Sequence, residues 1–215
     1  MKNISVAIDG PVGAGKSTIS RAVANRLGFI YVDTGALYRA LGVFYADKPD
    51  LSSLPDVSIE LKFIDGVQRV FVNGGDFTDK IRTPEASMLA SAISAKPGVR
   101  EFLLELQRSF SKSQSVVMDG RDIGTVVLPN ADVKIFLTAA PEERAKRRYD
   151  ELVSKGGDVP TYEEVLADLN KRDYNDSHRE HAPLKQADDA ILVDTTGNTF
   201  EESVEKMLRV INDNK

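Results

Sequence analysis

The chain has 215 residues, of which 41% are hydrophobic and 28% are charged, and its formal net charge is −5 at pH 7. This composition is typical of a globular protein with one domain and insertions, and the negative charge argues against a general nucleic-acid or membrane-surface binder. The sequence contains no cysteine, which excludes disulfides, thiolate zinc sites and cysteine nucleophiles. Apolar runs such as "ISVAI" are too short to span a bilayer, so we expect a cytoplasmic protein with no membrane partner.

The N-terminal segment alternates between predicted buried strands and helices. "ISVAID" is β-branched and apolar, which predicts a buried parallel strand. Apolar residues then recur at intervals of four and predict a helix from Lys16 to Leu27 that stops at Gly28. "FIYVD" predicts a second strand, and "TGALYRALGVFY" predicts a helix with Asp33 or Thr34 as its N-cap.

The hydrophobic pattern changes between Val57 and Thr83. "VSIELKFIDG" and "QRVFVNGGDF" alternate apolar and polar residues, which predicts antiparallel strands. Tight turns are expected at Asp65-Gly66 and at Gly74-Gly75. This segment therefore predicts a small antiparallel sheet within the chain.

The second half returns to alternating helices and strands. Helices predicted at 84–95 and 98–111 lead to the strand "SVVMD", and "VKIFLT" is the fourth strand. A charged helix begins near Pro141, the loop "KGGDVP" interrupts it, and a second charged helix runs from Thr161 toward His178. "AILVDTT" predicts a fifth strand, and a helix closes the chain.

Five short apolar strands joined by helices predict an α/β fold with an open parallel sheet covered on both faces. Two stretches interrupt this pattern, near 46–90 and near 141–178, and we interpret both as insertions above the sheet. In such sheets ligands bind beyond the carboxyl ends of the strands. The loops with unusual composition all follow strands at that edge.

The loop after the first strand carries a phosphate-binding motif. "GPVGAGKS", from Gly10 to Ser17, matches G-x-x-x-x-G-K-[ST] after a strand and before a helix. Glycines let backbone N–H groups point at an anion, and the positive end of the helix dipole adds to this. The alternative, a glycine-rich turn that only joins strand to helix, explains less of the motif. The motif therefore predicts a nucleoside triphosphate site of the P-loop NTPase type, with Lys16 on the β/γ-phosphates.

Two further strand ends carry charged loops. In "DTGALYR" a second helix N-terminus, with Arg39 one turn inside it, makes a second anion site; an ordinary capped helix with a surface arginine is the alternative. In "MDGRDIGT" Asp119 is placed to hold Mg²⁺ through water, and Arg121 and Asp122 project from the loop. The alternative for this loop is a local ion pair between Arg121 and Asp122.

Two charged helix faces complete the candidate site. Arg172, Asp176 and Arg179 are spaced i, i+4, i+7 and are expected on one helix face. A second face, near "KGGD", presents the arginines at 144, 147 and 148. For the first face, spacing alone favours a solvated salt-bridged surface over a functional role. The second face is either a solvated surface or an arginine clamp over a triphosphate.

Taken together, these segments resemble the bacterial cytidylate kinases, a branch of the nucleoside monophosphate kinases, over essentially the whole chain. The strings that carry the resemblance are "DGPVGAGKST", "DTGALYRA", "IRTPEAS", "DGRDIGTVVLPNADVKIFL" and "RDYNDSHREHAPL". The pair "DTGALYR" and "DGRDIGT" is more specific than the phosphate loop. The resemblance implies an α/β core, a nucleoside-monophosphate (NMP)-binding insertion with a small antiparallel sheet, and a short helical lid. Adenylate kinases have a much shorter insertion at 57–83, which favours the cytidylate branch.

The activity implied by the resemblance is ATP + CMP ⇌ ADP + CDP with Mg²⁺, and dCMP is a second acceptor. The implied core comprises 1–40, 91–141 and 177–215, with the NMP-binding insertion at 41–90 and the lid at 142–176. No nucleic-acid partner is implied, and without a heptad or a large apolar patch in the sequence we expect a monomer.

The resemblance also implies roles for individual residues. The catalytic residues are Lys16, Arg39, Arg121 and Arg179. The ATP-binding residues are Gly10, Pro11, Val12, Gly13, Ala14, Gly15, Lys16, Ser17, Thr18, Arg144 and Arg148. The CMP-binding residues are Asp33, Thr34, Tyr38, Arg39, Ser91, Arg100, Arg121, Asp122, Arg172, Asp176 and Arg179. The metal-binding residues are Ser17 and Asp119, with Thr18 as the alternative hydroxyl.

Within the CMP-binding set, Ser91, Arg100 and Asp122 are the implied cytosine readers, and Arg172 and Asp176 the implied ribose contacts. Two other functions remain open from the sequence. The first is a kinase with a different acceptor, either UMP or a non-nucleotide alcohol, and an alcohol acceptor would need a general base. The second is a nucleotide-dependent switch with no acceptor of its own.

Overall fold

The computed structural model describes residues 2–48, 50–64 and 66–215. The strands are β1 (Ser5–Asp9), β2 (Ile30–Asp33), β3 (Ile59–Ile64), β4 (Val67–Val72), β5 (Gly75–Asp76), β6 (Val116–Gly120), β7 (Val133–Thr138) and β8 (Ile191–Asp194). The helices are α1 (Lys16–Leu27), α2 (Gly35–Phe44), α3 (Pro84–Ser94), α4 (Pro97–Ser113), α5 (Pro141–Lys155), α6 (Tyr162–His178) and α7 (Phe200–Asn214). The strands and helices predicted from the hydrophobic pattern are present.

Five of these strands form one parallel sheet in the order β2-β6-β1-β7-β8. The predicted α/β fold is therefore confirmed. In the register of this sheet Asp33 lies opposite Asp119, and Asp119 lies opposite Ile8. Parallel strands end at a common edge, so the last residues of β1, β2 and β6 meet there.

The central strands are buried on both faces, which explains their continuous apolar sequence. In β1, Val6 and Ile8 belong to a cluster with residues of α1 and α7, whereas Ala7 faces a second cluster with residues of α2 and α4. The same alternation holds in β6, where Val117 joins the first cluster and Met118 the second.

The predicted antiparallel sheet is also present, in the order β3-β4-β5. Leu61, Val70 and Val72 point into the cluster that contains α2, so this insertion packs on the core through its alternate residues. The predicted turn at Gly74 has the left-handed backbone that favours glycine, with φ of 77°. The other predicted turn includes Asp65, which lies outside the described residues.

Helices α5 and α6 share a small apolar cluster of their own. Ala145, Val165 and Leu169 are buried between them. Thr161 caps α6 through a reciprocal capping box with Glu164, which explains why this helix starts where the sequence predicts. The pair therefore packs separately from the two layers that cover the sheet.

Two local features differ from expectation. Pro97 begins α4 rather than only separating two helices, because the first position of a helix needs no backbone donor. A π-helical turn, Ile123–Val127, follows β6 where the sequence indicated only a loop. The carbonyl of Asp122 accepts from the amides of Val126 and Val127, at 2.9 and 3.1 Å, and holds this turn.

Across the described residues, no helix has the length and apolar character that crossing a bilayer requires.

Candidate active site

A cleft of about 290 Å³ opens at the carboxyl ends of β1, β2 and β6. From the phosphate loop it is lined by Gly13, Ala14, Gly15, Lys16, Ser17 and Thr18. From the predicted acceptor and metal sets it is lined by Asp33, Thr34, Tyr38, Arg39, Ser91, Arg100, Asp119, Arg121, Asp122, Arg172, Asp176 and Arg179. Residues from most of the chain thus converge on one cavity.

The phosphate loop starts in close contact with the sheet. Gly10 has φ of 154°, and a Cβ built there would lie 2.0 Å from the carbonyl oxygen of Leu137 in β7. No other residue fits this position. The loop ends at Gly15, which caps α1 with a left-handed backbone, so the amides of the first turn of α1 face the cleft.

The ammonium group of Lys16 is nearly enclosed by protein. Its Nζ donates to the carbonyl oxygens of Gly10 and Pro11, both at 2.7 Å. Burial, together with the nearby Arg121 charge, lowers the pKa of Lys16 to about 7, although the Asp119 carboxylate opposes the change. A phosphate anion beside Nζ would favour the charged form.

Ser17 and Asp119 form an oxygen pair at the base of the cleft. Asp119 Oδ2 accepts from Ser17 Oγ at 3.0 Å, and Oδ1 accepts from the Tyr31 hydroxyl at 3.1 Å. Burial raises the pKa of Asp119 to about 6, and the nearby Asp33 carboxylate adds to the effect. Mg²⁺ prefers hard oxygen ligands and commonly takes one or two from the protein and the rest from phosphates and water. This donor pair fits that ion.

Carboxylates orient two arginines in the half of the cleft that is predicted to take the acceptor. Arg39 Nη2 donates to Asp33 Oδ2 at 2.6 Å. Asp33 Oδ1 accepts from the amide of Ala36 at 3.2 Å, so this carboxylate supplies the cap of α2. Arg121 Nε donates to Asp176 Oδ2 at 2.8 Å. Both guanidinium groups line the cavity, and together they form a positively charged patch beside the phosphate loop.

The far end of the acceptor half holds a buried pair, Arg100 and Asp122. Arg100 donates to Asp122 Oδ2, and the two side chains are 10% and 7% exposed. The Arg100 guanidinium lies 5.3 Å from the centre of the Tyr38 ring. Asp122 thus pairs with Arg100, and its neighbour Arg121 pairs elsewhere, so the local ion pair between Arg121 and Asp122 is not formed. The cause is that consecutive loop residues point in different directions.

The charged face expected on α6 is only partly helical. Arg172 and Asp176 lie on α6, but Arg179 is the residue after its end and has an extended backbone. Arg179 Nε donates to the carbonyl oxygen of Ala182 at 2.7 Å, and its Nη2 lies 3.8 Å from Asp122 Oδ1. The side chain of Arg179 is 8% exposed, so this part of the face is not solvated.

A family model described as "Cytidylate kinase" matches residues 6–213. The chain belongs to the cytidylate kinase family. It is 51% identical over 218 residues to a cytidylate kinase of Caldicellulosiruptor bescii, covering 98% of this chain and 96% of that one. It is 49% identical to a cytidylate kinase of Thermosipho africanus, with 96% and 93% covered.

A solved structure agrees with the fold. The protein TT1252 from Thermus thermophilus is 19% identical, covers 99% of this chain and 98% of its own, and superposes with a TM-score of 0.51. At this identity the likeness bears on the fold alone. The family membership rests on the sequence relatives.

One arginine expected at the donor phosphates in this family member is placed differently. Arg144 is buried, and its Nε donates to Ala139 O at 2.8 Å while its Nη1 contacts Val12 O at 2.7 Å and Asp173 Oδ2 at 2.6 Å. Because these acceptors hold its guanidinium, Arg144 does not line the cleft. Asp173 Oδ1 also accepts from the amide of Val12 at 2.9 Å, so side chains of α5 and α6 together hold both backbone groups of Val12 in the phosphate loop.

The other lid arginines divide between two environments. Arg147 donates to Glu143 Oε1 and to the carbonyl oxygen of Thr195. Arg148 pairs with Glu151 at 2.7 Å and borders a larger cavity of about 1180 Å³, which adjoins the first along Ser17. Arg148 therefore borders the cavity next to the cleft and does not line the cleft itself.

Asp9 belongs to the site and was missed in the sequence. It is 4% exposed, and its two carboxylate oxygens accept from the amides of Ile123 and Gly124, both at 2.7 Å. Burial raises the pKa of Asp9 to about 6, although the two amide bonds lower it. Asp9 thereby ties the end of β1 to the loop that carries Arg121 and Asp122. A carboxylate ending a buried strand was the available signal, but the sequence does not name its partner.

Proposed function

We propose that this member of the cytidylate kinase family transfers the γ-phosphoryl group of ATP to CMP, and to dCMP, producing ADP and CDP or dCDP. The observation that carries the proposal is that one cleft joins the phosphate loop to an arginine-lined anion patch and then to the buried Arg100–Asp122 pair. A phosphate donor site, an acceptor phosphate site and a base site follow one another in that order.

The donor half of the proposal uses the phosphate loop from Gly10 to Thr18 and the first turn of α1. Lys16 holds the β/γ-phosphates, and Arg148 is the lid arginine proposed for donor phosphates. Ser17 and Asp119 would hold Mg²⁺, which neutralises charge on the phosphate oxygens when bound. The Ser17–Asp119 distance of 3.0 Å supports Ser17, rather than Thr18, as the hydroxyl beside the metal.

The acceptor half needs no general base. The second pKa of a phosphate monoester is about 6, so near neutral pH the attacking oxygen is already anionic. The protein instead has to bring two polyanions together and stabilise the transferring group. Arg39, Arg121 and Arg179 are proposed to do so, and their carboxylate partners orient them before the acceptor arrives. An arginine-lined second anion site also supports an acceptor of the enzyme's own over a switch protein.

The base end of the cleft matches cytosine by hydrogen-bond polarity. Cytosine presents an N4–H₂ donor beside the N3 acceptor, and uracil reverses both. The Asp122 carboxylate accepts from N4–H₂, and Arg100 donates to N3, with Ser91 on the same wall. Uracil would leave buried groups of the protein unpaired, which lowers its transition-state binding. Thr34, Tyr38, Arg172 and Asp176 line the same pocket, and the last two are proposed to contact the ribose.

The proposal is tested with an acceptor screen and one variant. ADP release is measured with CMP, dCMP, UMP, AMP and GMP, and CMP and dCMP should be the preferred acceptors. In Asp122→Asn the amide can turn its NH₂ toward O4 of uracil. The CMP:UMP ratio of kcat/KM should therefore fall, by a factor that corresponds to about 1–3 kcal/mol of transition-state discrimination. Most of the change should be lost CMP activity.

The matched control is Asp150→Asn, which alters an exposed carboxylate of α5 that pairs with Lys146 at 2.8 Å. It should leave the ratio unchanged. Equal losses for CMP and UMP in Asp122→Asn would mean that Asp122 acts only through Arg100. If CMP fails to stimulate ADP release, the protein is better explained as a nucleotide-dependent switch. If an alcohol is phosphorylated instead of CMP, the proposal that the acceptor is a nucleoside monophosphate is wrong.

The setting of the enzyme is part of the same proposal. The cysteine-free sequence suits the reducing cytoplasm, and the net charge of −5 is consistent with nucleotides, rather than nucleic acid, as partners. We also propose that the protein is a monomer, that residues 41–90 form an NMP-binding insertion and that residues 142–176 form a lid. Sedimentation in the presence of both nucleotides tests the oligomeric state.

A further inference from the structure

The antiparallel insertion makes a polar contact with the edge of the parallel sheet. Gln68 of β4 places its side-chain amide against the backbone of Asp33, the last residue of β2. Gln68 Oε1 accepts from the Asp33 amide at 2.9 Å, and Gln68 Nε2 donates to the Asp33 carbonyl oxygen at 3.1 Å. One side chain therefore satisfies both backbone groups of Asp33.

The position of Asp33 explains why these backbone groups need a partner. β2 is an edge strand of the sheet, paired on one side with β6. Along a parallel strand the backbone groups of alternate residues point to opposite sides, so those of Asp33 point away from β6. Half-buried backbone groups are costly to leave unpaired. Gln68 supplies the pairing that a neighbouring strand would otherwise give.

From Asp33 the contact continues to the site. Asp33 Oδ2 holds Arg39 Nη2 at 2.6 Å, and Asp33 Oδ1 holds the Ala36 amide at 3.2 Å. The Asp33 carboxylate thus sets the orientation of Arg39 and the start of α2 together. A rotation of the Asp33 peptide would move both oxygens. Gln68 is the side chain that opposes that rotation from the insertion.

We propose that Gln68 is a positioning residue for the acceptor phosphate, which acts through Asp33 on Arg39 and ties the insertion to the catalytic cleft. The inference rests on the proposed role of Arg39 in holding that phosphate. It assigns a function to the β3–β4 hairpin, which is to hold the Asp33 carboxylate and Arg39 in position before the acceptor phosphate binds.

The test compares Gln68→Met with Arg69→Met. Met keeps the length of glutamine and removes both hydrogen bonds. Arg69 is the next residue of β4 and faces the opposite side, where its exposed side chain pairs with Asp76 at 3.3 Å. Gln68→Met should raise KM for CMP roughly 3- to 10-fold, with kcat and KM for ATP changed less than about twofold. Arg69→Met should change none of these.

Two further measurements distinguish positioning from general destabilisation. Hydrogen exchange at the Asp33 amide, followed by NMR, should be faster in Gln68→Met and unchanged in Arg69→Met. In an Arg39→Met background, where the anion contact is already lost, Gln68→Met should have no additional effect on the affinity for CMP measured by calorimetry. Gln68→Glu, which keeps an acceptor but faces the Asp33 carbonyl with a second one, should raise KM for CMP as well.

Several results would overturn the inference. Unchanged exchange at Asp33 would show that the contact is absent in solution. Faster exchange with an unchanged KM for CMP would show that the contact does not position Arg39, and equal losses of affinity with and without Arg39 would make Gln68 purely structural. If the wild-type protein binds the ATP analogue but not CMP, the proposed function fails first, before any Gln68 variant is made.

Discussion

At the scale of single residues, the site combines charges whose pKa values the fold has shifted. Lys16 has its pKa lowered to about 7 by burial, whereas Asp9 and Asp119 have theirs raised to about 6, again by burial. Each shift disfavours the charged form. Ligands of opposite charge, a phosphate beside Lys16 or a cation beside Asp119, would reverse the shift and bind with a change in protonation.

The protonation of Lys16 leads to a prediction on nucleotide binding. Below about pH 6 the lysine is already charged, and at pH 8 it is mostly neutral in the free protein. Binding of a non-hydrolysable ATP analogue with Mg²⁺ favours the charged form of Lys16, so this lysine should take up as much as about one proton at pH 8 and little at pH 6, where Mg²⁺ beside Asp119 should instead release part of a proton from that carboxyl group. Affinity should fall as pH rises above about 7. Calorimetry in two buffers of different ionisation enthalpy measures the uptake.

Two variants of Lys16 serve as controls for this measurement. Lys16→Arg keeps a charge that does not titrate, so its proton exchange reports only the nucleotide and the other groups. Lys16→Met removes the charge and should lower the rate of phosphoryl transfer on the order of a thousandfold or more. Equal proton uptake by wild type and Lys16→Arg at pH 8 would contradict the assignment to Lys16.

At the scale of elements, close packing of α2 against α3 positions one wall of the cleft, on the side proposed to bind the acceptor. Gly42 lies on α2, and a Cβ built there would be 2.9 Å from the backbone carbon and the Cβ of Leu89 in α3. Tyr38 and Arg39 of α2 face Ser91 of α3 across the cavity. The absence of a side chain at residue 42 therefore sets the distance between two walls of the site.

We expect Gly42→Ala to destabilise the protein although alanine is the better helix former. The added methyl group would push α3 away, which costs about 1–3 kcal/mol for overpacking. The matched control is Gly98→Ala in α4, where a Cβ meets nothing within 4 Å. That change should be neutral or stabilising by as much as ~1 kcal/mol. Urea unfolding gives the free energy of unfolding of both variants. If the two values are equal, the absence of a side chain at Gly42 does not set the spacing of α2 and α3.

At the scale of the whole molecule, the three parts differ in how they attach. The insertion shares the apolar cluster of α2 through Leu61, Val70 and Val72, whereas α5 and α6 have a small cluster of their own. Val12 of the phosphate loop packs against that small cluster. The α5–α6 pair therefore rests on the phosphate loop through few apolar contacts, as expected of a segment that opens locally at low free-energy cost.

Closure is predicted to exclude water from the transferring phosphoryl group. With CMP and a non-hydrolysable ATP analogue bound together, segments 57–83 and 142–176 should gain protection from hydrogen exchange. Strands β1 and β6, the rigid centre of the sheet, should change little. Each nucleotide alone is the control and should protect less of the two segments than both together. Uniform protection over the chain, or none in 142–176, would contradict the three-part architecture.

Local patterns were sufficient for most of the fold. Hydrophobic period, turn glycines and capping residues are short-range properties, and from them the five parallel strands, the antiparallel insertion and the paired helices α5 and α6 follow. The phosphate loop is equally local, because its glycines, Lys16 and Ser17 lie within eight consecutive residues. The π-helical turn after β6 was not predicted, since its stability comes partly from Asp9, 114 residues away in the chain.

The sequence by itself thus determined the fold class, the phosphate site and, through its resemblance, the family. Only the tertiary structure decided which charged groups pair. Arg121 contacts Asp176 rather than its neighbour Asp122, Arg144 turns inward to Val12 and Asp173, and Gln68 reaches Asp33. The physical reason is that the charge and length of a side chain determine which kinds of group it can hydrogen-bond. Its actual partner is whichever such group the fold brings within about 3 Å, from a strand end or helix that can be distant in the sequence.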